Sequence, residues 1–386
     1  MKLSTSNVGN LRSNKRFLVV SLITAFCLLF TVFSMGPSLS TCHGTIRTVN
    51  SAQALSSDGA KQMTFSNLNH LTATASARDN KEHVLILTPL KNAVPYLERY
   101  FELVDRLSYP KHLISLAFLV SDTTDETVSE LQRHARELQT RWHDRYHSIR
   151  IFEKDFKFEL TEEERHKYEL QPKRRSFMAR SRNYLLTAAL TEEISWVLWL
   201  DVDVVEYPST ILEDLQSVDE DVVVPNCLLQ REDGAFWGYD KNNWQETPAS
   251  LEIQKDLAPD FVLLEGKKIA KVLHISSFFV LHHICADSDK LTPLPHLFTG
   301  YYEFPTYRNL MVDMPTHNDK LDKVPLDGVG ATFTLVKAQV HREGANFPSY
   351  PFQHQVETEG FAKMAKAMGF TVYGLPSYII NHITNG

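Results

Sequence analysis

The sequence is poor in cysteine and has no excess of basic residues. Four cysteines in 386 residues, none in a CxxC spacing, indicate neither a disulfide framework nor a cysteine metal site. A formal net charge of −7 argues against a general nucleic-acid-binding protein, because phosphate binding requires an excess of Lys and Arg. No N-x-[ST] acceptor is present, so glycosylation sites give no support for a lumenal location. An apolar fraction of 43% predicts instead a globular protein with at least one large core.

One long apolar run stands near the N-terminus. Residues 17–35 carry no charge, and 19 residues at helical rise reach about 28 Å, close to the thickness of a hydrocarbon core. Four basic residues and no acidic residue precede the run, so residues 1–16 are expected in the cytosol and the rest of the chain across the membrane. The pattern predicts a type II signal anchor. The alternative is a cleaved signal peptide, although its apolar region usually has about 7 to 15 residues.

The segment after the apolar run differs from the rest of the chain. Residues 36–80 hold 13 Ser or Thr and show almost no apolar periodicity, which predicts a flexible stem. From residue 81 to residue 386, short apolar runs alternate with amphipathic stretches. The membrane-proximal part is therefore predicted to end near residue 80, where the globular body begins.

The body alternates predicted strands and predicted helices. Such alternation predicts an α/β fold with a mostly parallel sheet covered by helices on both faces, and ligands bind such sheets at the carboxyl ends of the strands. The predicted strands are 83–88, 113–120, 149–152 and 196–200, and the predicted helices are 95–107, one that begins near 121, and 177–190.

An acidic pair, Asp201 and Asp203, directly follows the apolar run WVLWL. A strand buried on both faces is a rigid mount, and two carboxylates at its carboxyl end can bind one divalent cation. Such a cation neutralises a diphosphate leaving group. The alternative is a solvated acidic turn that ends the strand.

Six segments, in order across most of residues 82–382, carry a resemblance to a known family. They are VLILTPLKNA, ARSRNYLL, SWVLWLDVDVVEYP, NNWQE, LDGVGATFTLVKAQVHREGANFP and ETEGFAKMAKAMGFTVYGLP. In these segments the chain resembles the fungal mannan polymerase subunits, which are Golgi α-1,6-mannosyltransferases of the GT-A type. The resemblance implies a type II Golgi membrane protein that transfers mannose from GDP-mannose, with Mn²⁺, to the α-1,6-mannan backbone of N-linked glycans. It also implies a complex with related subunits.

The resemblance extends to single residues of a metal site. Asp201 and Asp203 match the family's metal motif, and His341, in VHREGANFP, matches a histidine that supplies a metal ligand. An imidazole can complete a mixed oxygen and nitrogen site. The alternative for His341 is a loop histidine hydrogen-bonded to its neighbours.

The donor nucleotide is expected near the ends of the first two strands. Thr88, Pro89 and Leu90, placed just after the first strand, match the loop that packs on the base. Asp122, just past the second strand, is expected to accept hydrogen bonds from guanine or ribose.

A basic run precedes the acidic pair. Arg174, Arg175 and Arg182 are expected to clamp the diphosphate, because guanidinium groups match phosphate oxygens in geometry and charge. The alternative is a solvated basic face.

Further acidic residues are assigned to the acceptor side. Asp327, in the glycine-containing turn LDGVG, is expected to contact the acceptor hydroxyl or the donor sugar. Glu357 and Glu359 are candidates near the acceptor, with a helix N-terminus as the alternative.

One segment departs from the family pattern. Residues 267–300 stand where the family runs on directly, and they hold four of the 16 histidines. His282, His283 and Cys285 are a poor zinc site without a fourth ligand and a scaffold. We expect an insert, of the kind that a translated intron would produce.

Three classes of function fit these patterns. The first is a catalytic mannosyltransferase, retaining the α configuration by double displacement or by same-face transfer. The second is a weakly catalytic or non-catalytic subunit that scaffolds an active relative. The third is a metal-dependent phosphohydrolase or nucleotidyltransferase, which also uses paired aspartates.

Overall fold

The computed structural model describes residues 66–161, 164, 167–230, 236–264, 268–269, 302–303 and 306–383. The chain divides into two compact units, Met1–Asn69 and His70–Gly386, and the second is described below. The predicted cytosolic tail, anchor and most of the stem lie outside the described residues, as does nearly all of the predicted insert. Residues 70–80 of the predicted stem belong to the second unit, where Ala77 is buried in the core.

Helices and strands alternate through the first half of the second unit. The helices are α1 (Val94–Asp105), α2 (Thr127–Thr140), α3 (Gln171–Ala189), α4 (Ile211–Ser217), α5 (Pro248–Gln254), α6 (Ala338–Arg342) and α7 (Glu357–Ala367). The strands are β1 (His83–Leu90), β2 (Ile114–Val120), β3 (Ser148–Glu153), β4 (Ile194–Leu200), β5 (Val204–Glu206), β6 (Val222–Gln230), β7 (Phe236–Gly238), β8 (Trp244–Gln245), β9 (Lys268–Ile269), β10 (Tyr302–Glu303), β11 (Asn309–Leu310), β12 (Val324–Pro325), β13 (Phe333–Lys337) and β14 (Val372–His382).

The main sheet of the described residues has the strand order β12-β14-β6-β13-β4-β1-β2-β3, with β5 paired to β14 and β7 to β6. Strands β3, β2, β1 and β4 are parallel, as predicted. Strand β13 then runs antiparallel to both β4 and β6, and β12, β5 and β7 are antiparallel to their neighbours. The α/β class is confirmed, but the sheet is mixed. The apolar pattern could not show this, because buried strands of either direction read as apolar runs.

Helices cover both faces of the parallel strands. Successive side chains of a strand point to opposite faces of the sheet, and the two tryptophans of β4 show this. Trp196 belongs to the core on the α1 side, and Trp199 belongs to the core beneath α3 and α7. Strand β2 is buried at every position. Strand β4 is therefore a rigid central strand, and the chain that leaves its carboxyl end is held in place.

None of the helices in the described part of the chain is both long enough and apolar enough to cross a membrane.

Candidate active site

The acidic pair lies where the sequence predicted it, directly after the carboxyl end of β4. The backbone N–H of Asp201 donates to the carbonyl of Thr332 at 3.0 Å, and the carbonyl of Asp203 accepts from the N–H of Ile383 at 3.0 Å. About a third of each carboxylate is exposed, 33% for Asp201 and 31% for Asp203. Two neighbouring strands thus fix the backbone of the pair while the carboxylates stay accessible.

Asp201 has an unusual electrostatic environment. Partial burial raises the pKa of its carboxyl to about 7, although a third of the side chain stays exposed. Arg182, whose Nη2 lies 3.3 Å from Asp201 Oδ1, opposes the rise, and the neighbouring Asp203 adds to it. A cation bound at this carboxylate would favour its charged form. Metal affinity and the protonation of Asp201 are therefore coupled.

The histidine nearest the acidic pair is His382, which the sequence reasoning missed. Its Nε2 lies 3.0 Å from Asp203 Oδ1, yet this buried nitrogen makes no hydrogen bond of acceptable geometry. Its Nδ1 lies 2.8 Å from the carbonyl oxygen of Ile383, to which it can donate. Burial disfavours the charged ring, but the Asp203 carboxylate raises the pKa of His382, so in the absence of a cation Nε2 faces Asp203 as an ion-pair partner. A cation bound at Nε2 would replace that proton. The ring of Tyr239 stacks on the imidazole with centroids 3.6 Å apart and holds its plane.

The donor types in this cluster fit a divalent cation such as Mn²⁺. Within the ranges that the structure describes, no group of three or more His, Cys, Asp or Glu side chains is arranged to hold a metal ion. Two donors are nevertheless spaced like neighbouring ligands, since ligands bonded at about 2.1 Å and at right angles lie about 3 Å apart. Asp203 and His382 have this spacing, and Asp201 points toward Arg182 instead. A cation would thus be held by Asp203 and His382, and Asp201 would have to turn away from Arg182 to become a third donor.

His341 lies elsewhere, in α6. Its Nε2 accepts a hydrogen bond from Trp199 Nε1 at 3.1 Å, and its Nδ1 lies 2.9 Å from the carbonyl oxygen of Ala345. The ring is buried among aromatic side chains and stacks on Phe361. Burial lowers the pKa of His341 to about 4, so the ring is neutral. With both nitrogens engaged, His341 has the features of the alternative, a histidine bonded to its neighbours, and not those of a metal ligand.

Two of the three predicted arginines pair with the predicted acceptor glutamates. Arg182 Nη1 donates to Glu357 Oε1 at 3.0 Å, and Arg175 donates to Glu359 through a short contact. Both glutamates are buried in the first turn of α7, and Glu357 adopts a left-handed backbone conformation (φ 56°). Arg174 lies half-buried in the same helix as the other arginines. The charges assigned to donor and acceptor thus form one network, which reaches Asp201 through Arg182.

The network continues to Asn242 and Trp244, two residues for which the sequence predicted no contact with the charged residues. Glu359 Oε1 accepts from Trp244 Nε1 at 2.8 Å, and Arg175 Nη2 donates to Asn242 Oδ1 at 3.0 Å. Asp240 is buried nearby, and burial raises the pKa of its carboxyl. The segment NNWQE was part of the family resemblance, but nothing in its composition indicated contact with the acidic residues of α7.

The expected base-binding loop is not a loop. Thr88, Pro89 and Leu90 are the last three residues of β1, so their placement after the strand was wrong. Thr88 is fully buried and its hydroxyl is 2.8 Å from the hydroxyl of Tyr100, while Leu90 belongs to the core. The predicted strand ended at residue 88, and in the structure it continues through Pro89 to Leu90.

Asp122 and Asp327 occupy their predicted positions with protein partners. The carboxylate of Asp122 accepts the backbone N–H of Lys157 at 2.9 Å and holds the segment that follows β3. Asp327 is ion-paired with Lys366, and its Oδ2 accepts the backbone N–H of Glu246 at 2.7 Å. Both carboxylates therefore stabilise the loop segments that they contact.

The fold and the site define an α/β protein with a polar site at the carboxyl ends of its parallel strands, built from two aspartates, a histidine and buried Arg–Glu pairs. The Anp1 family model matches residues 62–284 and 285–351, so this chain belongs to the Anp1 family.

Several fungal proteins are similar to this chain. The mannan polymerase II complex anp1 subunit of Schizosaccharomyces pombe is 39% identical over 310 residues, which are 78% of this chain and 64% of that protein. The mannan polymerase complex subunit mnn9 of the same organism is 35% identical over 94% of this chain and 95% of its own length. The mannan polymerase II complex ANP1 subunit of Saccharomyces cerevisiae is 34% identical, and this chain spans 55% of its length.

Among solved structures, this chain is similar to the mannosyltransferase PcManGT from Pyrobaculum calidifontis, determined in complex with GDP-Man and Mn²⁺. The TM-score is 0.40 with 12% identity, over 81% of this chain and 59% of the other.

Proposed function

We propose that this protein is a retaining α-1,6-mannosyltransferase that moves mannose from GDP-mannose to the α-1,6-mannan backbone of N-linked glycans. In this proposal it acts as a subunit of a mannan polymerase complex together with related chains. Membership of the Anp1 family supports the reaction class and the assembly. The observation that carries the proposal is the cluster of Asp201, Asp203 and His382, because it combines two partly exposed carboxylates with a buried imidazole nitrogen 3.0 Å from Asp203 Oδ1.

In the proposed reaction, the cation would neutralise the charge that develops on the GDP leaving group. Asp203 and His382 would hold the cation, and Asp201 would exchange its contact with Arg182 for the cation. Arg175 and Arg182 already neutralise Glu359 and Glu357. Diphosphate binding should therefore depend chiefly on the cation, and less on these arginines than the sequence suggested.

The proposed setting is the Golgi membrane, with the catalytic unit in the lumen. The uncharged run at 17–35 would anchor the chain, and the Ser/Thr-rich segment after it would separate the anchor from the unit that begins at His70. A chain that lacks residues 1–36 should then be soluble and should still bind GDP. Loss of GDP binding in a folded truncated chain would contradict this assignment.

The central experiment measures GDP binding as a function of Mn²⁺ concentration in wild type, Asp203→Asn and His382→Ala, with mannose transfer to α-1,6-mannobiose measured in parallel. Asp203→Asn keeps the shape of the side chain and removes its charge, so transfer should be lost while the fold persists. His382→Ala should weaken Mn²⁺ binding, and excess Mn²⁺ should partly restore transfer. His341→Gln is the matched control, since it changes a buried histidine outside the cluster.

The same assay separates the two other classes of function. The internal pairing of Arg175 and Arg182 favours the scaffolding alternative, since it leaves these arginines less able to bind a donor. Mn²⁺-dependent GDP binding without transfer, in the presence of partner subunits, would select a scaffolding role. Hydrolysis of GDP without any transfer of mannose would select a phosphohydrolase. GDP affinity in Asp203→Asn that depends on Mn²⁺ as in wild type would overturn the proposed site.

A further inference from the structure

A groove of about 670 Å³ lies outside the candidate active site, along the outer face of α3. The groove is open to solvent, and six of its eight lining residues are exposed. One wall is the segment that follows β3, and the other is the face of α3 that carries Arg180, Tyr184 and Thr187. Positions 180, 184 and 187 share one helix face, whereas Arg182, which contacts Asp201, is on the opposite face. The groove is lined by Lys154, Asp155, Phe156, Lys157, Arg180, Asn183, Tyr184 and Thr187.

The wall that follows β3 is held in a defined conformation. Asp122 Oδ2 accepts the backbone N–H of Phe156 at 3.3 Å, and Asp122 Oδ1 accepts that of Lys157 at 2.9 Å. The N–H of Asp122 donates in turn to Asp155 Oδ1 at 2.8 Å. These bonds form the wall without a ligand, and they engage the one acidic side chain of the groove.

The basic side chains of the groove have no protein counter-charge. Arg180, Lys154 and Lys157 make no side-chain hydrogen bond and no ion pair within the ranges that the structure describes. This distinguishes Arg180 from Arg175 and Arg182 of the same helix, which are both paired with glutamates. Three cations that form no ion pair, beside the hydrogen-bonded carboxylates of Asp122 and Asp155, leave the groove with a net positive charge that suits a negatively charged ligand.

Aromatic rings position the guanidinium of Arg180. Its central carbon is 4.9 Å from the ring centre of Phe177 and 5.4 Å from that of Phe156. Stacking on rings restricts the side chain while its N–H donors stay free, so little entropy is lost when they bind an anion. Guanidinium donors match phosphate oxygens in a bidentate geometry, which favours phosphate over a spherical anion.

Tyr184 adds an apolar contact surface beside these charges. Its side chain is 46% exposed, and its ring meets that of Phe156 edge to face, with centroids 6.3 Å apart. A ring-shaped body linked to the phosphate can pack against this tyrosine, as the apolar face of a sugar does. Inorganic phosphate would leave that contact unused.

We propose that the groove on the outer face of α3 binds the phosphate group of a phosphorylated sugar. Arg180 receives the phosphate, Lys154 and Lys157 add charge, and Tyr184 contacts the sugar ring. The site does not depend on the proposed mannosyl transfer, because it involves neither Asp203 nor His382.

The test is calorimetric titration of the full-length protein with mannose 6-phosphate, inorganic phosphate and mannose. A chelator is present so that no divalent cation binds at Asp203 and His382. Mannose 6-phosphate should bind more tightly than inorganic phosphate, and mannose should not bind measurably. Arg180→Gln should weaken mannose 6-phosphate binding by about tenfold or more, while Arg180→Lys should retain part of it. Tyr184→Ala should remove the preference for the sugar phosphate and leave inorganic phosphate binding unchanged.

Two comparisons make the test specific. Lys81→Gln changes an exposed lysine outside the groove and should bind like wild type, and Arg180→Gln should keep Mn²⁺-dependent GDP binding.

Vesicles of phosphatidylcholine with phosphatidic acid separate a lipid headgroup from a free sugar phosphate as the source. Vesicle binding that requires Arg180, without binding of soluble sugar phosphate, would overturn the sugar-phosphate assignment and identify a lipid phosphate as the ligand. Binding of every probe to Arg180→Gln as to wild type, or no binding of any probe to wild type, would overturn the proposal.

Discussion

The two buried histidines, His341 and His382, should respond differently to replacement by alanine. Removal of a buried ring of this size costs about 3 to 5 kcal/mol, and loss of the acceptor for Trp199 Nε1 is part of that cost because it leaves a buried donor unpaired. We therefore expect His341→Ala to lower the free energy of unfolding by about 3 to 5 kcal/mol. The Mn²⁺ dependence of GDP binding should not change, since both ring nitrogens of His341 bond within the core.

His382→Ala should also lose stability, because His382 is 2% exposed and stacks on Tyr239. Its distinguishing effect is on metal binding, since Nε2 is the buried nitrogen beside Asp203 Oδ1. The Mn²⁺ concentration needed for half-maximal GDP binding should rise by tenfold or more. This corresponds to a loss of about 1.4 kcal/mol or more in the free energy of Mn²⁺ binding.

The assay combines urea denaturation with Mn²⁺ titrations of GDP binding on the same protein samples. His341→Gln is the control for volume and hydrogen bonding, because its amide oxygen can still accept from Trp199. The reasoning would be refuted if His341→Ala lost Mn²⁺ dependence at wild-type stability while His382→Ala kept it.

The first half of the fold could be predicted because each strand and helix is encoded locally. The apolar run of β4 ends at Leu200, and the acidic pair follows it in sequence and in space. The antiparallel direction of β13 could not be predicted in this way. It depends on how the chain returns to the sheet between β4 and β6, and the composition of the strand does not report its direction.

The histidine beside the acidic pair was not predicted because its position depends on long-range strand pairing. His382 reaches the acidic pair only because β14 pairs with the three-residue strand β5, placing His382 opposite Val204. So short a strand has no periodicity that a sequence pattern could reveal. One signal was available, since His382 ends a long strand just as Asp201 follows the end of β4, and polar residues at strand ends are common ligands.

The Arg–Glu pairs were recognised as charged residues but not as partners. Arg175 and Glu359 are separated by 184 positions in the sequence, and Arg182 and Glu357 by 175. Each charge was therefore interpreted alone, the arginines for a donor and the glutamates for an acceptor. In the fold, the packing of α3 against α7 brings them together in the interior, where an unpaired charge would be costly.

Three further changes test the electrostatics and packing of the site. Burial holds the pKa of His341 at about 4 in the folded protein, whereas in the unfolded chain it is about 6.5. Between these pH values the unfolded chain binds a proton that the folded protein does not, so stability falls as the pH falls. From pH 6.5 to 4, wild type should lose about 3 kcal/mol more stability than His341→Gln, measured by urea denaturation. Gly330→Ala should cost about 1 to 3 kcal/mol in the same assay, because a Cβ would collide with the carboxylate of buried Asp240; a wild-type unfolding curve would show that the backbone yields instead. Arg182→Ala should have the largest effect, about 3 to 5 kcal/mol, because it leaves buried Glu357 without its cation. The same change removes the guanidinium that limits the raised pKa of Asp201, so the pH at which Mn²⁺ binding is half-maximal should move upward. Arg182→Lys keeps the charge and should restore part of both losses, whereas equal losses in Arg182→Lys and Arg182→Ala would show that packing, and not charge, is what this side chain contributes.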